Sequence, residues 1–109
     1  MAKAIVVVAT NCPAGREAEF NDWYNNVHIP DILQIPGFVA ASRFQVMSEP
    51  REGQGRYLAV YEIEADDPAT ALIGLQKAGP ELAAKGRLLP GLELVSMAPY
   101  VAVTDRITA

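Results

Sequence analysis

The only histidine, His28, lies in the run E-F-N-D-W-Y-N-N-V-H-I-P-D-I-L, just after Trp23 and Tyr24 and two residues before Pro30. Imidazole is the side chain whose ordinary pKa puts its proton exchange near neutral pH. Acid–base chemistry in this chain therefore has one obvious carrier. Its role would be general acid or base, moving a proton at a carbon beside a carbonyl or closing a ring. The plain alternative is a helix-end histidine that hydrogen-bonds a last-turn carbonyl or sits near the negative end of the helix dipole. Asp31, three residues on, could orient the ring and set its tautomer, or be a solvated acid of the next turn.

Other polar and aromatic residues could complete a site. Asn11 closes the first apolar run and could donate to a developing oxyanion, or be an ordinary turn residue. Tyr57 and Tyr61 alternate onto one strand face. Either hydroxyl could donate to a substrate carbonyl, or be tied off in half-buried packing. Arg43 stands among apolar strand residues and needs a partner or a wet cavity. It could hold a substrate carboxylate bidentately, or pair with Glu62 or Glu64 across the sheet. Trp23, Tyr24 and Phe38 could wall an aromatic-friendly pocket; Trp23 and Phe20 could equally be plain core. Cys12, alone at a strand end, could be a nucleophile or a small hydrophobe.

Much other chemistry lacks its residues. There is no phosphate-cradling glycine loop and no Gly-x-Ser-x-Gly elbow. One His and one Cys, far apart, argue against a zinc or iron site. Haem needs a single protein ligand, so His28 could supply it, but the expectation is no metal and no cofactor.

The elements that must position these residues follow from periodicity. Residues 3–10 are apolar and β-branched on both faces, the pattern of a buried strand. A helix over about 15–27 carries Glu17 and Glu19 in its first turn and breaks near Pro30, which can open a short turn, Asp31–Gln34. Phe38–Met47 alternates as a strand, with Phe38, Ala40, Ser42, Phe44 and Val46 on one face and Val39, Ala41, Arg43, Gln45 and Met47 on the other. A polar loop over 48–55 leads to a strand over Arg56–Glu64. Asp67-Pro68 caps a second helix that stops at Gly79-Pro80, followed by a looser stretch over 81–86. The last strand runs from about Leu92 to Thr104, and Pro99 within it demands a bulge or an edge position. The order βαββαβ, with right-handed crossovers, gives an α+β fold: a ferredoxin-like four-stranded antiparallel sheet with two helices on one face.

That leaves the second sheet face bare, although the strands are apolar on both sides. Composition agrees: of 109 residues, 50% are hydrophobic and only 20% charged, where average chains carry about 25%. One small domain, 1–109, has too much surface to hide this excess, so a homodimer packed through its sheets is expected. The net charge of −4 with scattered basic residues argues against nucleic acid. The run Ala4–Ala9 is too short to cross a membrane or to act as a signal peptide. A lone Cys12 fits a reducing, cytoplasmic setting.

The pattern W-Y-N-N-V-H-I-P-D-I-L-Q-I-P-G-F, continued by Ser42-Arg43-Phe44 and R-Y-L-A-V-Y-E-I, resembles the EthD-like branch of the dimeric α/β-barrel superfamily over roughly residues 3–104. The resemblance implies an interleaved dimer with one small-molecule cavity per subunit between sheet and helices. It does not fix a reaction; muconolactone isomerases, polyketide cyclases, and cofactor-free and haem-degrading monooxygenases share the wider superfamily. The expected function is a cofactor-free, metal-free enzyme acting by proton transfer on a small hydrophobic, aromatic or cyclic-carbonyl metabolite. His28 would be the acid/base, Asn11 and Tyr61 the oxyanion donors, and Trp23, Tyr24, Phe38, Arg43 and Tyr57 the binding residues. Two other classes are kept: a cofactor-independent monooxygenase of a phenolic substrate, and a non-catalytic binding protein.

Overall fold

The computed structural model describes residues 2–109; Met1, the first residue of the expected 1–109 domain, lies outside them. Strand β1 (Ala2–Asn11) is followed by helix α1 (Glu17–Trp23), a wide π-helical turn over Tyr24–His28 and helix α2 (Ile29–Ile32). Strands β2 (Phe38–Gln45) and β3 (Tyr57–Ala65), helix α3 (Pro68–Ala84) and strand β4 (Glu93–Val101) complete the chain. The strands form one antiparallel sheet in the order β2-β3-β1-β4. This is the expected ferredoxin-like α+β arrangement.

Alternation assigns the two faces. Ala4, Val6, Val8 and Thr10 of β1, with Ala59, Tyr61 and Ile63 of β3, are buried against Phe20, Trp23, Tyr24 and Ile32 of the first helical segment and Ala71 of α3. Asp67 caps α3, its carboxylate accepting from the Ala69 amide at 3.1 Å. The opposite face carries Ile5 and Val7 of β1, Leu58 and Val60 of β3, Phe44 of β2 and Tyr100 of β4; no helix covers it. Among the described residues no helix is long and apolar enough to cross a membrane.

The structure corrects three local expectations. The first helix does not break before Pro30. The Ile29 amide donates to the Tyr24 carbonyl, five residues back, and ordinary spacing resumes with Leu33 donating to Ile29 at 2.9 Å. In a regular α-helix Pro30 would clash with the carbonyl four residues earlier; one widened turn absorbs its ring, so His28 sits inside a continuous helical rod. Likewise α3 runs through Gly79-Pro80 to Ala84, because Gln76 and Pro80 are exposed and water can take the carbonyl that Pro80 leaves unpaired.

The third correction concerns register. In β2, Phe38 pairs with Ile63 and Ala40 with Glu62, so Val39 is an extra residue. This bulge reverses the alternation. Phe38 therefore shares the helix-covered face with Ala41, Arg43 and Gln45, and Ala40, Ser42 and Phe44 face the other way. Pro99 lies on an edge strand, one of the two positions expected for it; the irregularity in β4 falls between Ser96 and Leu94.

Candidate functional site

Register brings the candidate residues into one layer between sheet and helix. Successive rows on the covered face are Ala41–Tyr61–Val6, Arg43–Ala59–Val8 and Gln45–Tyr57–Thr10. Ala59 is small and buried, which leaves room beside it for the Arg43 side chain and the rings above. The rings interlock. Tyr24 meets Phe20 edge-on at 5.5 Å and Trp23 at 5.2 Å, Tyr57 packs on Phe20 at 4.9 Å, and Phe38 meets Tyr61 at 6.3 Å.

His28 is held in this layer by two rings. Its plane stacks on the Trp23 indole at 4.6 Å and 17°, and its edge meets Tyr24 at 5.2 Å and 90°. Trp23 is itself fixed, its indole N–H donating to the Arg87 carbonyl at 2.8 Å. Burial pushes the imidazole pKa down to about 4, against a smaller upward pull from the Asp31 carboxylate. The ring is therefore neutral at pH 7, and its buried Nδ1 has no hydrogen-bond partner among the described residues.

Tyr61 provides the second unpartnered buried polar atom, its hydroxyl oxygen. The Tyr24 hydroxyl neighbours those of Tyr61 and Thr10, but the Tyr61 hydroxyl meets no group in hydrogen-bond geometry. Burial first, and the adjacent Tyr24 second, push its pKa far above the ordinary phenol value. The group is a donor that stays protonated. Most buried polar groups find a partner; these two, in the same layer, do not.

Arg43 does not pair with Glu62 or Glu64. The bulge at Val39 turns it to the covered face, away from Glu62, which lies opposite Ala40. Its guanidinium donates to Asn25 Oδ1 at 2.9 Å and Asn21 Oδ1 at 3.0 Å. It lies 4.5 Å from the Tyr24 ring centre, 5.3 Å from Phe20 and 5.9 Å from Tyr57. Sequence reasoning missed Asn21 and Asn25, although their spacing of four puts both on one helix face. It also missed Thr10, 2% exposed beside Tyr24.

Two candidates lie apart from this group. The Asn11 amide donates to Glu93 Oε1 at 2.7 Å, and its carbonyl accepts from the Arg56 amide at 2.8 Å. Both ends are engaged at a strand end, and alternation puts Asn11 on the uncovered side of β1. Asn11 therefore ties the end of β1 to β4 and to the start of β3, apart from His28 and Tyr61. Asp31 is held by Arg87 through bonds of 2.7 and 3.1 Å, so it acts on His28 by charge and not by contact. No group of three or more potential metal-ligating side chains occurs among the described residues.

The expected roomy cavity beside His28 is instead a filled layer, with Phe20, Tyr24, Tyr61, Phe38 and Trp23 all buried. A cleft of about 180 Å³ opens next to it, lined by Asn21, Arg43, Phe44, Gln45 and Tyr57. Larger hollows lie under the 51–56 loop on the uncovered face, about 490 Å³, and between α2 and α3, about 440 Å³.

Comparison with solved structures finds the same fold in other small proteins. HapK from Hahella chejuensis superposes with a TM-score of 0.62 at 16% identity, covering 100% of this chain and 99% of its own. The heme-degrader MhuD from Mycobacterium tuberculosis, with two hemes bound in its active site, gives 0.58 at 23% identity over 94% and 98%. A candidate monooxygenase from Shewanella loihica PV-4 gives 0.58 at 20% over 98% and 99%. At these identities the likeness is one of fold. No curated protein matches the chain. Residues 3–86, from β1 through α3, match the family described as a domain of unknown function, DUF4286, and the chain belongs to that family.

Proposed function

We propose that the layer around Tyr24, reached from the adjoining cleft beside Arg43, is the ligand site of a small-molecule enzyme that works by proton transfer without a cofactor. The substrate class is a small aromatic or cyclic carbonyl compound. The observation that carries this reading is the pair of unpartnered buried atoms, His28 Nδ1 and the Tyr61 hydroxyl, on either side of Tyr24. A neutral imidazole offers a proton acceptor at pH 7, and the charge it gains is favoured by the Asp31 carboxylate. The permanently protonated Tyr61 hydroxyl donates to the carbonyl oxygen as negative charge develops there. Arg43, Tyr57, Tyr24, Trp23 and Phe38 hold and enclose the substrate. A homodimer through the uncovered sheet face is part of the proposal; it would close the edge of the layer near β2.

The second reading, oxygen-dependent chemistry on a phenolic substrate, draws support from the neighbours of this fold: a heme-degrader and a candidate monooxygenase. The residues around His28 do not suit a porphyrin. One face of the imidazole is covered by Trp23, and the ring meets Tyr24 edge to face, which leaves no open side for a flat macrocycle of that size.

The test is incubation of the protein in D₂O with a panel of enolisable aromatic and cyclic ketones. Deuterium incorporation is followed by NMR and oxygen uptake by electrode. Incorporation without oxygen uptake is the expected result. Oxygen consumption tied to substrate loss favours the second reading. Ligand recovered unchanged and unlabelled across the panel contradicts both.

A further inference from the structure

Each of the three ion pairs among the described residues joins an arginine to an acid: Arg16 to Glu19, Arg56 to Glu49 and Arg87 to Asp31. Arg43 forms none, although acids outnumber bases in the chain by 13 to 9. Its surroundings are polar but uncharged. Two asparagine carbonyls take two of its five N–H groups, and Tyr24 offers its ring face at 4.5 Å. These contacts fix the plane of the guanidinium and leave its positive charge uncancelled. Arg43 lines the cleft formed with Asn21, Phe44, Gln45 and Tyr57, and three of its N–H groups are not taken up by the asparagines. A half-buried cation that is oriented yet lacks a counter-charge is arranged to receive an anion.

Size narrows the ligand. The cleft measures about 180 Å³, and about 150 Å³ is enough to take a benzene ring. Tyr57 supplies an aromatic wall. The planar fork of an arginine matches the two oxygens of a carboxylate.

We propose that Arg43, held by Asn21 and Asn25, is the anion-binding subsite of this protein, and that its ligand is a single-ring compound bearing a carboxylate. The inference rests on the reading of the Tyr24 layer as a ligand site, whose substrate class it narrows. It concerns binding alone, so it stands or falls separately from proton transfer by His28.

The experiment compares sodium benzoate with benzamide, which has nearly the same shape and no charge, by ¹H–¹⁵N NMR titration of the full chain at low salt. Benzoate is expected to bind at least about tenfold more tightly, the ratio for one charge-assisted pair, with shifts at Asn21, Arg43 and Tyr57. Arg43→Gln is expected to bring the two affinities within about twofold of each other. Asn21→Ala, which keeps the charge and loosens the guanidinium, should retain only part of the preference. Equal affinities in the wild-type protein, no binding of benzoate at millimolar concentration, or a full preference surviving in Arg43→Gln would each overturn the subsite. The wild-type comparison needs no variant, so the proposal is tested even if Arg43→Gln misfolds. A benzoate preference in a protein that exchanges no substrate protons keeps the subsite and defeats the catalytic reading. Exchange on neutral ketones with no benzoate preference does the reverse.

Discussion

The imidazole of His28 lies parallel to the indole of Trp23, 4.6 Å away, although the residues are five apart in sequence. In an α-helix, residues five apart point about 140° from one another around the axis. The π turn over Tyr24–His28 is what brings these two rings together. Such single wide turns recur at functional sites, and here Pro30 supplies the steric reason for one. Restoring an amide with Pro30→Ala removes that reason. The expected outcome is a turn that regains regular spacing, a loosened stack and an imidazole pKa that rises from about 4 toward the ordinary 6.5. The chain has one histidine, so its ring proton signal reports the value without assignment. An unchanged pKa with the fold intact would show that the stack does not depend on the proline.

The same burial makes stability depend on pH. Between about pH 4 and 6.5 the unfolded chain binds a proton on His28 that the native state excludes. The unfolded state binds more protons, so stability rises with pH across this window and is lost as the pH falls from 6.5 to 4. The loss from this one group reaches up to about 3 kcal/mol. Urea unfolding at pH 7 and pH 4 should show the wild-type protein losing that much more than His28→Gln. Equal losses in the two proteins would mean that the imidazole is not desolvated.

Tyr61 should show opposite effects on stability and function. Its buried hydroxyl lies beside that of Tyr24 but meets no partner in hydrogen-bond geometry among the described residues, and an unsatisfied buried group costs free energy. Tyr61→Phe is expected to stabilise the fold by about 1 kcal/mol and to lower substrate turnover or ligand affinity. A variant that is less stable than wild type would mean that the hydroxyl is satisfied internally and is not kept for a ligand.

The row Ser42–Val60–Val7–Ala98 crosses the uncovered sheet face, flanked by Phe44 and Tyr100, 55% and 58% exposed. Sedimentation equilibrium is expected to give a dimer at micromolar concentration, and Val60→Lys, placing a charge at the centre of that face, a monomer. A wild-type monomer, or a dimer indifferent to Val60→Lys, would rule out this face as the interface.

The architecture was legible in the sequence because β-branched runs and turn residues alternate in blocks of distinct period. The two proline-containing helices were misjudged for one reason: local steric rules treat proline as a stop, whereas a widened turn at Pro30 and an exposed carbonyl before Pro80 let the helices continue. One inserted residue, Val39, moved Arg43 from an expected ion pair into an aromatic layer, and no periodicity argument locates a bulge. Aromatic spacing pointed to Trp23, Tyr24 and His28 together. The engagement of Asn11 with Glu93 and Arg56 depends on long-range register and could not be read locally.

Deuterium exchange at the carbon beside the carbonyl, measured for wild type and for His28→Gln with the fold of each checked by circular dichroism, bears on the proposed role of the imidazole. Wild-type protein should label the substrate and the folded variant should fall at least about a hundredfold, the usual contribution of a positioned acid–base group. Exchange at the wild-type rate in His28→Gln would contradict it.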